Sequence, residues 1–283
     1  MSITINQIGQ HFYDVLNGVP GGVPGSFGDR KIYGGDHDRE VKKIGIGWVP
    51  CSQNLETAGA DGCDLFISHE NIFYGPWAQD LDSSETVWGR RRMSILKKND
   101  MAWFNLHDTW DCFPEYGIRD SWMKFLDLTE LLEERPYYRG SGKVTATKFL
   151  ALSRVKTQSF GEFASFVARK CSVFPSSQGV TIHGNRNAEI RTVATGAGCC
   201  IPTLEMLELG ADVLVLTFDR AMQTTIRIPL IEMNANILVV EHGTSEMPGM
   251  QSMAVYLNKT FPDIEATFYC KEPMAETILP EVL

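Results

Sequence analysis

The sequence predicts an α/β fold: two lobes with mixed, largely parallel sheets. Three observations carry this. Short apolar runs rich in Leu, Ile and Val recur along the chain, as at 65–67, 213–216 and 237–240. Between them lie longer segments whose apolar residues return at helical spacing. The 283 residues are 43% hydrophobic, enough to build one large core or two smaller ones.

Taken in order, Ile5, Ile8, Phe12 and Val15 predict a helix over 4–16. Residues 18–25 read Gly-Val-Pro-Gly-Gly-Val-Pro-Gly, which can hold neither a helix nor a central strand. A Gly/Pro loop therefore spans 18–28, a flap over a site or a linker. Then come a strand over 43–49, a helix over 54–62, a strand over 65–68, a helix over 85–98 and a strand over 101–106. A helix over 120–134, a strand over 145–152 and a helix over 159–171 follow. The last hundred residues repeat the rhythm: strands at 180–182, 190–194, 213–217, 237–240 and 264–269, with helices over 202–209, 221–234 and 245–261. A Ser-, Pro- and Gly-rich stretch near 172–180 marks the boundary, giving lobes of 1–175 and 176–283.

Charge excludes some functions. Lys and Arg number 26 against 35 Asp and Glu, a balance of −9 that argues against a nucleic-acid partner and suits a protein that holds cations. The seven Cys show no framework spacing, which reads as a reduced chain rather than a disulfide scaffold. Residues 1–10 do not form a signal peptide, and no run approaches the roughly 20 apolar residues of a membrane span. The expectation is a cytoplasmic protein without a membrane partner.

Ligands of open α/β sheets sit beyond the carboxyl ends of strands. Four predicted strands deliver His or carboxylates there: Ser68-His69-Glu70, His107-Asp108 with Asp111, Asp219, and Glu241-His242 with Glu246. His242 and Glu246 are four apart at a helix mouth and can share one face; His107 and Asp111 show the same offset on a segment that reads as a turn. Mixed imidazole and carboxylate donors suit a divalent transition ion rather than Ca. Several carboxylates beside several His can hold two ions.

With those motifs in view, the chain resembles the NIF3-like family, also catalogued as DUF34 and sometimes labelled a type 2 GTP cyclohydrolase 1. The resemblance rests on residues 62–70 (Gly-Cys-Asp-Leu-Phe-Ile-Ser-His-Glu), 107–111 (His-Asp-Thr-Trp-Asp), 195–198 (Thr-Gly-Ala-Gly), 210–213, 217–219 and 240–246 (Val-Glu-His-Gly-Thr-Ser-Glu). It implies a two-lobed fold with a dinuclear metal site between the lobes, and assembly into dimers or hexamers. By position, the implied ligands are His69, Glu70, Asp111, His242 and Glu246, with His107 close by. Two departures stand out. His69-Glu70 stands where the family has His-His, a harder and negative donor favouring Mn, Fe or Zn, or else leaving one metal only. Thr217-Phe218-Asp219 replaces Thr-Gly-Asp, placing a ring at a site-facing turn.

The expected activity is that of a metal-dependent hydrolase on a small, possibly cyclic, C–N bond substrate, with one or two divalent ions (Zn, Fe or Mn) as cofactor. Glu70 and His107 would handle the proton. The alternative is a non-catalytic metal carrier or scaffold built on the same ligands. Other residues have plainer readings. His11, His37 and His183 read as surface or core histidines, Thr195–Gly198 as a tight turn, and Cys112, Cys199 and Cys200 as packed thiols. Asp219 reads as a helix cap or as a group touching the site from outside. Trp103 and Trp110 pack, and Arg90-Arg91-Arg92 with Lys97-Lys98 form a solvated helix face.

Overall fold

A computed structural model of the chain describes residues 2–17, 32–72, 86–111, 113–139, 143–175, 177, 179–199 and 201–271. The Gly/Pro loop at 18–28, Cys112 and Cys200 lie outside the described residues. The helices are α1 (Ile5–Asn17), α2 (Ser52–Ala60), α3 (Val87–Lys98), α4 (Asp108–Asp111), α5 (Ile118–Phe125), α6 (Phe160–Cys171), α7 (Thr203–Glu208), α8 (Phe218–Ala221), α9 (Thr224–Glu232) and α10 (His242–Thr260). The strands are β1 (Ile32–Tyr33), β2 (Lys43–Gly47), β3 (Leu65–Ser68), β4 (Ala102–Asn105), β5 (Glu130–Arg139), β6 (Lys143–Ser159), β7 (Thr181–His183), β8 (Glu189–Thr195), β9 (Val213–Thr217), β10 (Ile237–Val240) and β11 (Glu265–Phe268). The α/β class with mixed sheets is therefore observed.

The chain forms two compact units, and no single cut near 175 separates them. The first gathers the described residues of Met1–Ser121, Pro136–Lys148 and Met247–Lys271; the second gathers Trp122–Arg135 and Phe149–Glu246. One reason is visible in the pairing: β11, late in the chain, runs parallel to β2 and so joins the first unit's sheet.

The first unit's sheet has the order β1-β4-β3-β2-β11. β2, β3 and β4 are parallel neighbours, with Ser68 opposite Asn105. β3 and β4 are buried along their whole length, so they read in sequence as continuous apolar runs. Leu55, Ala58, Phe66, Ile95, Leu96, Met101 and Trp103 form a core between this sheet and α2 and α3.

The second unit's sheet has the order β5-β6-β8-β9-β10-β7. Its centre, β8-β9-β10, is parallel, flanked by antiparallel β6 and β7. Phe160, Phe163, Val167, Ile190, Val193, Val213, Val215, Leu238 and Val240 pack its core. α6 starts at a capping box: Ser159 Oγ accepts from the Glu162 N–H, and Glu162 returns a carboxylate to Ser159.

Several expected elements differ, and the strand expected over 145–152 runs on as β6 to Ser159. The helix expected over 120–134 stops at Phe125, and 130–134 belong to β5. Asp127 takes the left-handed conformation (φ 56°) and the Leu128 N–H bonds back to Met123 O, which wraps the helix end as a C-cap does. The helix expected over 221–234 is two, α8 and α9, because Gln223 is extended between them. α10 begins three residues earlier than expected, since Glu241 Oε2 accepts the Thr244 N–H at 2.6 Å and caps the first turn. Among the described residues, no helix is long and apolar enough to cross a membrane.

Candidate metal centre

Each unit carries its own group of donor side chains, built at the carboxyl ends of adjacent parallel strands. In the first unit, β3 runs out into His69 and Glu70, and β4 runs out through Leu106 to His107 and the short α4 that ends in Asp111. The turn that carries His69 and Glu70 is fixed from below. The Asn105 amide donates to the carbonyls of His69 (2.6 Å) and Ser68 (3.3 Å). Ser68 Oγ accepts from Trp103 Nε1 (2.8 Å) and donates to the Glu70 carbonyl (2.7 Å). All three of these side chains are buried, so the hydrogen bonds are shielded from water.

On this base the first group assembles. His69 is fully buried and Glu70 nearly so. His69 Nε2 and Asp111 Oδ1 lie 2.9 Å apart, and the His69 and His107 rings stack with centroids 4.2 Å apart. His107 Nε2 lies 3.9 Å from Glu70 Oε1, and its Nδ1 lies 4.0 Å from Asp111 Oδ2. One donor atom each from His69, Glu70 and His107 fall within 4.8 Å of one another, a spacing that could hold a metal ion. The His107 side chain is 36% exposed, against 7% for Glu70.

In the second unit, His242 and Glu246 share one face of α10, as their offset of four predicts. His242 Nε2 lies 2.9 Å from Glu246 Oε1, and its Nδ1 lies 2.9 Å from Asp219 Oδ2 at the end of β9. Burial pulls the His242 pKa down, but the charges and hydrogen bonds of Glu246 and Asp219 more than reverse this and hold it well above its ordinary value. Burial pushes the Asp219 pKa up, yet the hydrogen bond and charge of His242, together with hydrogen bonds from Thr217 and the Arg220 N–H, outweigh it and the net shift is down. The two carboxylates thus favour the protonated form of the imidazole that lies between them.

Sequence reasoning missed several contributors. Gly198 is one. It takes φ +59°, and a Cβ there would stand 2.7 Å from Glu246 Oε1 and 3.5 Å from His242 Nε2. The Thr195–Gly198 turn, read as merely structural, is pressed against two expected ligands. Cys199, read as a packed thiol, is half-buried, with a donor atom within 4.8 Å of one each from Asp219 and His242. Asp219, expected as a helix cap or as a group touching the site, lies inside α8, whose N-cap is Thr217; its side chain is 44% exposed and contacts His242. Ser68 and Asn105 were missed because polar residues at strand ends look like ordinary sheet caps.

Other expected readings have a clear place. Trp103 and Trp110 are buried, and Trp110 Nε1 donates to the Gly249 carbonyl at 3.1 Å. Phe218, expected at a site-facing turn, is 56% exposed. His11 contacts Tyr256 Oη at 2.8 Å within an aromatic cluster, His37 contacts the Gly34 carbonyl, and His183 lies on β7. On α3, Arg91 pairs with Glu56 and Arg92 donates to the Ile72 carbonyl at 2.6 Å.

A two-unit α/β protein with imidazole and carboxylate groups at its strand ends is, as a class, one with residues able to bind a metal ion. The chain belongs to the Duf34/NIF3 (NGG1p interacting factor 3) family, whose pattern matches residues 32–274. Its fold is shared by a protein ybgI described as of unknown function (16% identity, 97% of this chain and 99% of that one, TM-score 0.77). It is shared also by a Bacillus cereus protein related to NIF3 (12% identity, 98% and 99%, TM-score 0.74). Reduced HcgD from Methanocaldococcus jannaschii is a third (18% identity, 96% and 99%, TM-score 0.67). No curated protein matches the chain.

Proposed function

We propose that the protein is a metal-dependent hydrolase of a small molecule, with divalent transition ions on the two donor groups. The observation that supports this is the mixed burial of each group. Buried donors (His69, Glu70, Glu246) would fix an ion, while His107 and Asp219, with side chains 36% and 44% exposed, leave each group a face that solvent and substrate reach. A purely structural ion is ordinarily enclosed by its ligands, whereas a catalytic one keeps an open position.

The residues fit such ions. Imidazole nitrogens and carboxylate oxygens within 4.8 Å of one another match Zn, Fe or Mn. His69, Glu70, Asp111, His242 and Glu246 are the proposed ligands. A divalent ion bound there would supply Lewis-acid polarisation and an acidified water. The chain's own part is positional and protonic. Asp111 orients His69 through Nε2, and Asp219 orients His242 through Nδ1. Glu70 and the accessible His107, 3.9 Å apart, form a pair that can take a proton and pass it to solvent. A C–N bond, in a ring or amidine, is the substrate class proposed, by analogy with the family's label.

The test is elemental analysis of protein never exposed to chelators, followed by a screen of C–N hydrolase substrates with wild type, His107→Ala and His242→Ala. The expected result is about one to two transition ions per chain, fewer in His242→Ala, and turnover that His107→Ala depresses by about 10²-fold or more. Protein without metal would sink the reading. Metal held without turnover of any substrate would favour a carrier or scaffold instead.

A further inference from the structure

We propose that Cys199 is a thiolate ligand of the second unit's metal position, with Asp219 and His242, and that it makes this position prefer Zn(II) or Fe(II) to Mn(II). The inference rests on the metal reading above; it adds Cys199 to the ligands, moves Asp219 from orienting His242 to the ion itself, and gives the position a selectivity.

Topology is the first support. β8, β9 and β10 are parallel neighbours. The residues that follow them are Gly196–Cys199, Phe218-Asp219 and Glu241-His242. Three adjacent strands thus each deliver one donor to a single sheet edge, the edge where open α/β sheets place their ligands. The donors are of three kinds: sulfur, oxygen and nitrogen.

Close approach is the second. Gly198 stands where a Cβ would collide with Glu246 Oε1, and its positive φ is one that L side chains seldom adopt. The backbone that carries Cys199 is therefore held against the His242–Glu246 pair. Donor atoms of Cys199, Asp219 and His242 lie within 4.8 Å of one another. Ligands of a tetrahedral Zn site lie roughly 3.3–3.8 Å apart, given bonds of about 2.0–2.3 Å, so closure by about 1 Å suffices. Both His242 nitrogens face carboxylates, so one can turn to an ion while the other keeps the ring oriented.

Donor chemistry sets the selectivity. Among the described residues, the first unit's group offers nitrogen and oxygen donors. A thiolate adds a softer donor, which Zn(II) and Fe(II) accept readily and Mn(II), an oxygen-seeking ion, does not. Cys199 forms no disulfide and is only partly buried, so an ion can reach it.

The experiment is cobalt(II) titration of the reduced, metal-stripped full chain. Wild type and Cys200→Ser are expected to develop a thiolate-to-cobalt charge-transfer band in the near ultraviolet. Cys199→Ser should lose the band and lower the preference for Zn(II) over Mn(II) by about tenfold or more. In the Cys200→Ser background, Zn(II) should slow alkylation of Cys199 by iodoacetamide, followed by mass spectrometry; this readout needs no change at Cys199. A band that survives Cys199→Ser, or alkylation that Zn(II) leaves unchanged, overturns the proposal while metal binding stands. Wild type that takes up neither Co(II) nor Zn(II) instead overturns the metal reading itself.

Discussion

The two donor groups are made by one rule and held by different forces. Both sit past the carboxyl ends of parallel strands. In the first unit, neutral hydrogen bonds do the holding: Asn105, Ser68 and Trp103 pin the turn that presents His69 and Glu70, and none of them carries charge. In the second unit, charge and backbone shape do it, with His242 clamped between Asp219 and Glu246 and Gly198 wedged beside them. The difference teaches that a ligand group can be organised in advance by its scaffold or by its own electrostatics. Only the second kind changes with protonation. Breaking each kind of support in turn separates the two.

The largest effect is expected from His242→Ala. Glu246 is 1% exposed and loses the cation that faces it. Removing one partner of a buried ion pair costs about 3–5 kcal/mol, and the open flank of His242 puts this case at the low end. Urea unfolding of the metal-free protein should show that loss, and the chain's metal content should fall. Gly198→Ala comes next. It forces an alanine into φ +59° and a methyl group to 2.7 Å from Glu246 Oε1, for about 2 kcal/mol by the same measurement. If either variant matches wild type in stability, charge and backbone shape are not what hold the second group.

Much of this was legible in the sequence, and the exceptions have physical causes. β3, β4, β9 and β10 are fully buried, so each reads as a largely apolar run whose end is legible to within one residue (β4 stops at Asn105 rather than 106), and this places His69, His107, Asp219 and His242 just beyond the strands. β1 escaped notice because two residues, Ile32 and Tyr33, make no pattern. β5 was hidden because Leu131 and Leu132 continue a helical spacing that Asp127 interrupts through its backbone angle, not its side chain. Cys199 was passed over for a similar reason. The significance of Gly198 lies in what a Cβ would strike, and that neighbour, Glu246, is 48 positions away in the chain.

Asn105→Ala addresses the first unit. Asn105 is 1% exposed and its amide serves two carbonyls. Its loss leaves buried acceptors unpaired, at about 1–3 kcal/mol. The metal affinity of the first group should weaken by roughly tenfold as the His69–Glu70 turn loosens. The cobalt–thiolate band expected at Cys199 should not change, because that group stands on other strands. A band that weakens in parallel would show that the two groups are not independently supported.

The smallest effect is a slope with pH, and it has opposite signs with and without metal. The folded-state pKa of His242 is raised above the ordinary value of 6.5 by Glu246 and Asp219, against the pull of burial. Its contribution to the metal-free fold is therefore fully present below about pH 6.5 and is lost as pH rises through the raised value. A metal ion needs the neutral ring, so it must displace that proton, and binding should strengthen with pH over the same window. For one displaced proton the change is about tenfold in affinity, near 1.4 kcal/mol, per pH unit. Thermal melts with and without saturating Zn(II) should thus diverge as pH rises, the apo curve falling and the holo curve holding. Because this proton is held by the clamp on His242, the divergence should shrink in His242→Ala. If it persists at full size in that variant, the proton released on metal binding does not come from the second group.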